Sequence, residues 1–234
     1  MDLAIISAGE SSRMFSEGMS IPKPLVNING KPMIRRIIDI AVNNGVKSIK
    51  CIINDKFPEL KSYLNNNDFG VPIELIVKST PSSMHSLFEL SKFLKNDNFC
   101  LATVDTVFLE DEYKSFIDYT KSINGCDGVL AVTKFIDDEK PLCVKLEGER
   151  IVEFKDSKNG MKYATGGLYY FSPKIFDMME IALNKKIERL RNFLRLLLEN
   201  GYVLNAFEFS KIIDVDHIKD ILVAEEFLKN EDRI

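Results

Sequence analysis

Two short stretches near the start of the chain carry residue types suited to holding an anion. Ala8-Gly9-Glu10-Ser11-Ser12-Arg13 follows directly on the apolar run Leu3–Ser7. A strand that runs into a small-residue loop brings backbone N–H groups close to a phosphate. Gly9 permits close approach, Ser11 and Ser12 add hydroxyls, and Arg13 offers a planar fork matched to phosphate oxygens. Lys23 adds a compact cation, and Pro22 and Pro24 stiffen the backbone that carries it. Two acids complete the set. Asp105 closes the apolar run Leu101–Val104, and Asp216 lies in Ile213-Asp214-Val215-Asp216-His217. Open α/β sheets bind ligands at the carboxyl ends of their strands, and two carboxylates there suit Mg²⁺, with Mn²⁺ as the alternative. Asp214 competes with Asp216, since strand alternation puts both on one face. The plain alternative is a solvated loop with two surface cations, and acids that cap helices.

The loop is not a dinucleotide fingerprint, because Ser11 stands where a glycine is required and Asn27–Lys31 lacks the acid expected about 20 residues on. It is not a Walker loop, since no Gly-Lys-Ser/Thr follows. A nicotinamide oxidoreductase is therefore disfavoured.

The elements that must position these residues are legible from periodicity. Buried strands are expected at Leu3–Ser7, Ser48–Ile53, Ile73–Val77, Phe99–Val104 and Gly128–Thr133. Helices are expected from Met33 to Val42 behind Pro32, over Pro58–Leu64, Ser83–Lys95 behind Ser82, and near Glu112–Lys121. Further on come strands Cys143–Leu146, Ile151–Phe154, Tyr163–Phe171, Tyr202–Phe207 and Ile212–Val215. Helices Pro173–Leu183, Lys186–Asn200 and Ile218–Lys229 complete the chain. Strands alternating with helices through the first half argue for a parallel sheet covered on both faces. Asp137–Pro141 reads as a surface loop.

Ala8–Met14, a gap, then Pro22-Lys23-Pro24-Leu25-Val26 and Gly30-Lys31-Pro32-Met33-Ile34 resemble the two-part signature of the nucleotidyltransferases. That family includes sugar-phosphate nucleotidyltransferases, phosphocholine cytidylyltransferases and molybdenum-cofactor nucleotidyltransferases. The motif is specific over about 30 residues, and the order of the remaining elements extends the resemblance over essentially the whole chain. Ser11 is a variant, since many members have Gly there. The resemblance implies a three-layer αβα Rossmann-like sandwich with a mixed, largely parallel sheet, of the nucleotide-diphospho-sugar transferase type. It implies one domain over 1–234, with acceptor-binding insertions about 134–200 and no β-helix domain.

By the same resemblance, Ala8, Gly9, Glu10, Ser11 and Ser12 hold the nucleotide, while Arg13 and Lys23 bind the triphosphate and its developing charge. Asp105 and Asp216 hold the metal, and Asp216 matches the second ligand better than Asp214 does. Asp220 serves the start of the closing helix. Thr80–Leu87 corresponds to the base-contacting loop, which assigns Ser82, Ser83 and His85 to the nucleotide. Gly166 and Gly167 correspond to the acceptor segment, and Lys155 to the acceptor-phosphate cation, with Lys158 and Lys162 as register alternatives. The implied reaction joins an NTP to a phosphorylated acceptor, a sugar 1-phosphate first, and releases pyrophosphate. Phosphocholine or another phosphoalcohol remains open and would want an aromatic cage, for which Tyr163, Tyr169 and Phe171 are the candidate walls. A silent nucleotide-binding regulator on the same fold also remains open.

Composition agrees. Apolar residues make up 45% and charged residues 28% of 234, enough for a sizeable core. A net charge of −4 argues against a nucleic-acid backbone as partner. The N-terminus lacks the basic and long apolar regions of a signal peptide, and no run is long enough to span a bilayer. Cys51, Cys100, Cys126 and Cys143 form no CxxC pair and read as free thiols in a cytoplasmic chain, with an oligomer allowed.

Overall fold

Short β-branched runs form strands in this chain, and longer segments with 3.6-residue periodicity form helices. A computed structural model describes residues 1–137 and 139–229. In chain order the elements are β1 (Asp2–Ser7), α1 (Ser12–Ser16), β2 (Asn27–Ile28), β3 (Lys31–Pro32), α2 (Met33–Asn43), β4 (Ser48–Ile53) and α3 (Pro58–Asn66). Then follow β5 (Ile73–Val77), α4 (Ser83–Leu90), β6 (Phe99–Thr103), β7 (Thr106–Val107), α5 (Glu110–Ser122), β8 (Gly128–Thr133), β9 (Cys143–Glu147) and β10 (Arg150–Lys155). The chain continues through β11 (Tyr163–Phe171), α6 (Met179–Asn184), α7 (Leu190–Glu199), β12 (Leu204–Phe209), β13 (Ile213–Asp214) and α8 (Ile218–Lys229).

Nine strands form one mixed sheet in the order β5-β4-β1-β6-β11-β8-β12-β10-β9. Strands β5, β4, β1 and β6 are parallel, as is the β8–β12 pair. Antiparallel pairing enters where β11 slots between β6 and β8, and where β10 joins β12 and β9. Alternation in β1 sends Ala4 and Ile6 to one face and Leu3 and Ile5 to the other. The first face packs on α4 and α7 through Leu87, Phe88, Phe193 and Leu197. The second packs on α2, α3 and α5 through Ile34, Ile38, Leu60 and Phe116. These are the three layers expected from the sequence.

A third, smaller apolar cluster lies at one end of the sheet. It joins Met14 of α1, Val26, Ile28, Met33, Val107 of β7, Ile213, Val215 and Ala224 of α8. It fastens together the very segments that carry Arg13, Lys23, Asp105 and Asp216.

Local differences from the sequence expectation have physical causes. The helix expected over 186–200 begins at Leu190, because Lys186 and Arg189 adopt positive φ (53° and 68°) and break the helical run. The segment from Pro173 to Met178 winds as a 3-10 turn before α6. Strand β7 and helix α1 are too short to show periodicity. None of the four cysteines forms a disulfide, and burial pushes the Cys51 thiol up to about 12.

Gly128 opens β8 where a Cβ would lie 2.6 Å from Phe171 Cδ1 and 3.1 Å from Leu204 Cδ2. Phe171 is fully buried and cannot retreat. Gly128→Val is expected to destabilise the fold by about 1–3 kcal/mol through overpacking, read as a lower urea midpoint at unchanged slope.

Candidate active site

The loop after β1 is shaped by Ser11. Its backbone is left-handed (φ 54°, ψ 22°), and its Oγ accepts a hydrogen bond from the Lys23 N–H at 3.0 Å. One residue thus turns the loop into α1 and ties the two halves of the signature together. The glycine common at this position meets the same backbone demand without strain but has no hydroxyl to make the tie. Asn54, itself buried, donates to the Ala8 carbonyl at 2.9 Å and holds the other side of the loop. Glu10 projects outward and pairs with Lys56 at 2.5 Å. Among the described residues, nothing beyond its two chain neighbours lies within 4 Å of a Cβ placed on Gly9, so that side of the loop is open.

Lys23 sits in a single 3-10 turn, Lys23–Leu25, and is only 9% exposed. Its ammonium donates to Asp105 Oδ2 at 2.8 Å and to Asp216 Oδ1 at 2.6 Å. Arg13 donates to the other oxygen of Asp216. Burial pushes the Asp105 carboxyl up, but the Lys23 charge, its hydrogen bond and one from Thr103 outweigh this. Together they hold Asp105 below the ordinary carboxylate value.

Asp105 follows β6 at a turn into β7, and β7 pairs antiparallel with β13 through Ile213–Val107 and Asp214–Thr106. The Val215 N–H donates to the Asp105 carbonyl at 3.0 Å. This ribbon brings the carboxylates of Asp105, Asp214 and Asp216 together, with one ligand atom of each within 4.8 Å of the others. Asp220 Oδ2 accepts from the N–H groups of Asp216 and His217 at 3.0 and 2.7 Å, so it opens α8 as expected. Gly9, Ser11, Ser12, Arg13, Lys23, Asp105 and Asp216 line one cavity of about 260 Å³.

A cleft adjoins it on the far side of Asp216. Thr103, Thr106, Thr133, Phe135, Gly166, Gly167 and Asp214 are among its walls. Strand β11 bulges between Thr165 and Tyr169, where Gly167 has φ 75°. A Cβ on Gly167 would stand 2.5 Å from Thr103 Oγ1, and one on Gly166 would stand 2.8 Å from Ile212 Cγ2. Gly167 thus lets β11 press against the turn that carries Asp105, and Gly166 lets it press against Ile212, just before β13.

Other residues singled out in the sequence lie apart from this centre. Ser82 Oγ accepts from the Arg189 N–H at 3.1 Å and Ser83 Oγ from the Leu190 N–H at 3.0 Å. Both hydroxyls satisfy open donors at the start of α7, and Ser82 also bonds His85 Nδ1 at 2.9 Å. Lys155 pairs with Glu153 at 3.2 Å, Lys158 donates to the Ile136 carbonyl at 2.6 Å, and Lys162 lies over the Tyr163 ring. Among the described residues none of these three lysines lines the cleft; Arg13 and Lys219 do. Tyr163, Tyr169 and Phe171 do not converge on a cage. Tyr169 stacks on Phe171 at 5.7 Å, both buried, while Lys134 and Lys162 occupy the Tyr163 ring.

The sequence reading missed the threonines. Thr103 and Thr133 end β6 and β8 as Asp105 follows β6, so their place at strand carboxyl ends was the available signal. His217 stands at the start of α8, where its Nδ1 bonds Glu17 and so ties α8 to the loop after α1.

Comparison with known proteins agrees with this fold. The family model described as "Nucleotidyl transferase" matches residues 3–231. The D-glycero-alpha-D-manno-heptose 1-phosphate guanylyltransferase of Campylobacter jejuni is 27% identical over 232 residues, covering 97% of this chain and 97% of that protein. The bifunctional protein GlmU of Methanococcus maripaludis is 24% identical over 99% of this chain, which spans 55% of the GlmU length. The solved inositol-1-phosphate CTP transferase from T. maritima superposes with a TM-score of 0.84 at 20% identity, over 97% of this chain and 95% of that one, and shares the fold.

The hydroxyl that ties Ser83 to α7 is a stability element. Ser83→Ala is expected to lower the stability by about 1 kcal/mol, as loss of a cap does, measured by chemical denaturation.

Proposed function

The chain belongs to the nucleotidyl transferase family, and from that premise we propose that it transfers a nucleoside monophosphate from an NTP to a sugar 1-phosphate, yielding an NDP-sugar and pyrophosphate. The observation that carries this reading is the convergence of Arg13, Lys23, Asp105 and Asp216 on one cavity beside the open face of Gly9. The similarity to a heptose 1-phosphate guanylyltransferase along nearly its whole length supports a sugar 1-phosphate as acceptor and makes GTP the first donor to try. The lack of a converging aromatic cage among the described residues removes the support for phosphocholine. With none of its cysteines in a disulfide, the chain suits a reducing compartment, and we assign it to the cytoplasm.

In this reading the loop Ala8–Ser12 carries the nucleotide against backbone, and Arg13 and Lys23 face the triphosphate. The acceptor lies in the cleft against Gly166 and Gly167. One of its phosphate oxygens attacks the α-phosphorus, and the bond to the pyrophosphate oxygen breaks in line. A phosphomonoester is largely dianionic near neutral pH, so the attacking oxygen needs no strong general base. The protein's work is positioning and charge stabilisation. Arg13 and Lys23 stabilise the departing pyrophosphate, and Lys23 is held for this by its prolines and by Ser11.

The donor set fits a divalent cation. Asp105, Asp214 and Asp216 each bring a carboxylate oxygen within 4.8 Å of the others, and these are hard oxygen ligands of the kind Mg²⁺ prefers. Asp105 and Asp216, with Asp214 beside them, would hold it. Such a cation supplies charge neutralisation at the phosphate oxygens when bound.

Lys23→Ala and Asp105→Asn are each expected to lower kcat/KM by roughly two to three decades, which corresponds to about 2–4 kcal/mol at the transition state. The measurement is pyrophosphate release with the four NTPs against a panel of sugar 1-phosphates, with thermal melting to confirm folding. Turnover near that of the unaltered chain in either variant would sink the site assignment.

A further inference from the structure

Asp216 occupies an unusual position for a residue expected to hold a metal. Each of its two oxygens already takes one cation, Lys23 on Oδ1 at 2.6 Å and Arg13 on Oδ2. These are the two cations assigned above to the triphosphate. A carboxylate bridging a guanidinium and an ammonium makes the charge-assisted contacts that two phosphate oxygens would make. Within the cavity of about 260 Å³ the formal charges of Arg13 and Lys23 are balanced by Asp105 and Asp216. An entering polyphosphate therefore meets two cations already neutralised by carboxylates.

We propose that Asp216 is an internal competitor for the polyphosphate, seated on Arg13 and Lys23 until a nucleotide displaces it. The proposal rests on the reading that these two cations take the triphosphate. Lys23 is nearly buried, where an ammonium is disfavoured unless well paired; Asp105 is one counter-ion, and an anion that also meets Arg13 is the second. Asp216 suits the part. Its backbone is anchored through its N–H to Asp220, while a quarter of its side-chain surface stays open. Arg13 is half exposed and has room to swing from carboxylate to ligand. Once released, Asp216 lies beside Asp105 and Asp214 and is available to a cation arriving with the nucleotide. One side chain thereby exchanges its partner instead of competing with substrate through the whole cycle.

Inorganic tripolyphosphate tests this without a base or a metal. In EDTA at fixed ionic strength, calorimetric titration of Asp216→Asn is expected to give a dissociation constant about tenfold or more below that of the unaltered chain. Glu139→Gln removes the same charge from a cleft residue that faces His217, and is expected to change the constant by less than about threefold. Adding Arg13→Gln to Asp216→Asn is expected to abolish the gain. Asp216→Ser serves as the second variant if the asparagine form melts early. Equal tightening by Asp216→Asn and Glu139→Gln would mean bulk charge alone and would overturn the proposal. So would no tightening in Asp216→Asn while Arg13→Gln and Lys23→Gln weaken binding to the otherwise unaltered chain, a result that leaves the polyphosphate reading intact. If neither Arg13→Gln nor Lys23→Gln alters binding in any background, the polyphosphate reading itself fails.

Discussion

Two ladder positions between β7 and β13, Ile213 on Val107 and Asp214 on Thr106, govern the site. Without them, Asp105 and Asp216 would belong to unrelated turns more than a hundred residues apart. Their like charges would resist the approach, so the ribbon depends on cations and on apolar contact to hold it closed. Lys23 provides the first by bonding both carboxylates. The small cluster of Met14, Val26, Ile28, Met33, Val107, Ile213, Val215 and Ala224 provides the second. The charged centre and this cluster stabilise the same four segments, and neither would persist alone in water.

Much of the fold is legible in the residues because burial imposes periodicity. Leu3–Ser7, Ser48–Ile53 and Gly128–Thr133 coincide with β1, β4 and β8, since these strands are buried on both faces and read as continuous apolar runs. Gly9, Arg13 and Lys23, singled out by residue type and local spacing, do come to line one cavity. Side-chain direction was not legible. Ser82 and Ser83 look like a ligand loop in sequence, yet their partners are N–H groups 107 residues further on. Lys155 has the residue type of an anion-binding lysine, but its place on β10 beside Glu153 leaves it on the surface. Two-residue strands such as β7 fall below the length at which any pattern exists, and β7 is the element on which Asp105 turns.

The net charge of −4 describes the exterior. At the site, Lys23 bonds Asp105 and Asp216, Arg13 bonds Asp216, and Asp214 lies beside both acids, so a modest change in occupancy alters the local charge. Ser11 shows how closely the backbone serves this arrangement. Its left-handed turn carries a strain that glycine would avoid, and its hydroxyl secures the Lys23 backbone in return.

The late position of β13 in the chain has a bearing on how the molecule is made. Strand β7 finds its ladder partner only after roughly a hundred further residues have been synthesised, and closing so distant a contact is slow. A nascent chain that has emerged only as far as β12 already carries Arg13, Lys23 and Asp105, but not the acids of residues 214 and 216. The cluster of three carboxylates is therefore assembled only after β13 has emerged, so chain order sets Arg13, Lys23 and Asp105 in place before the acids that join them.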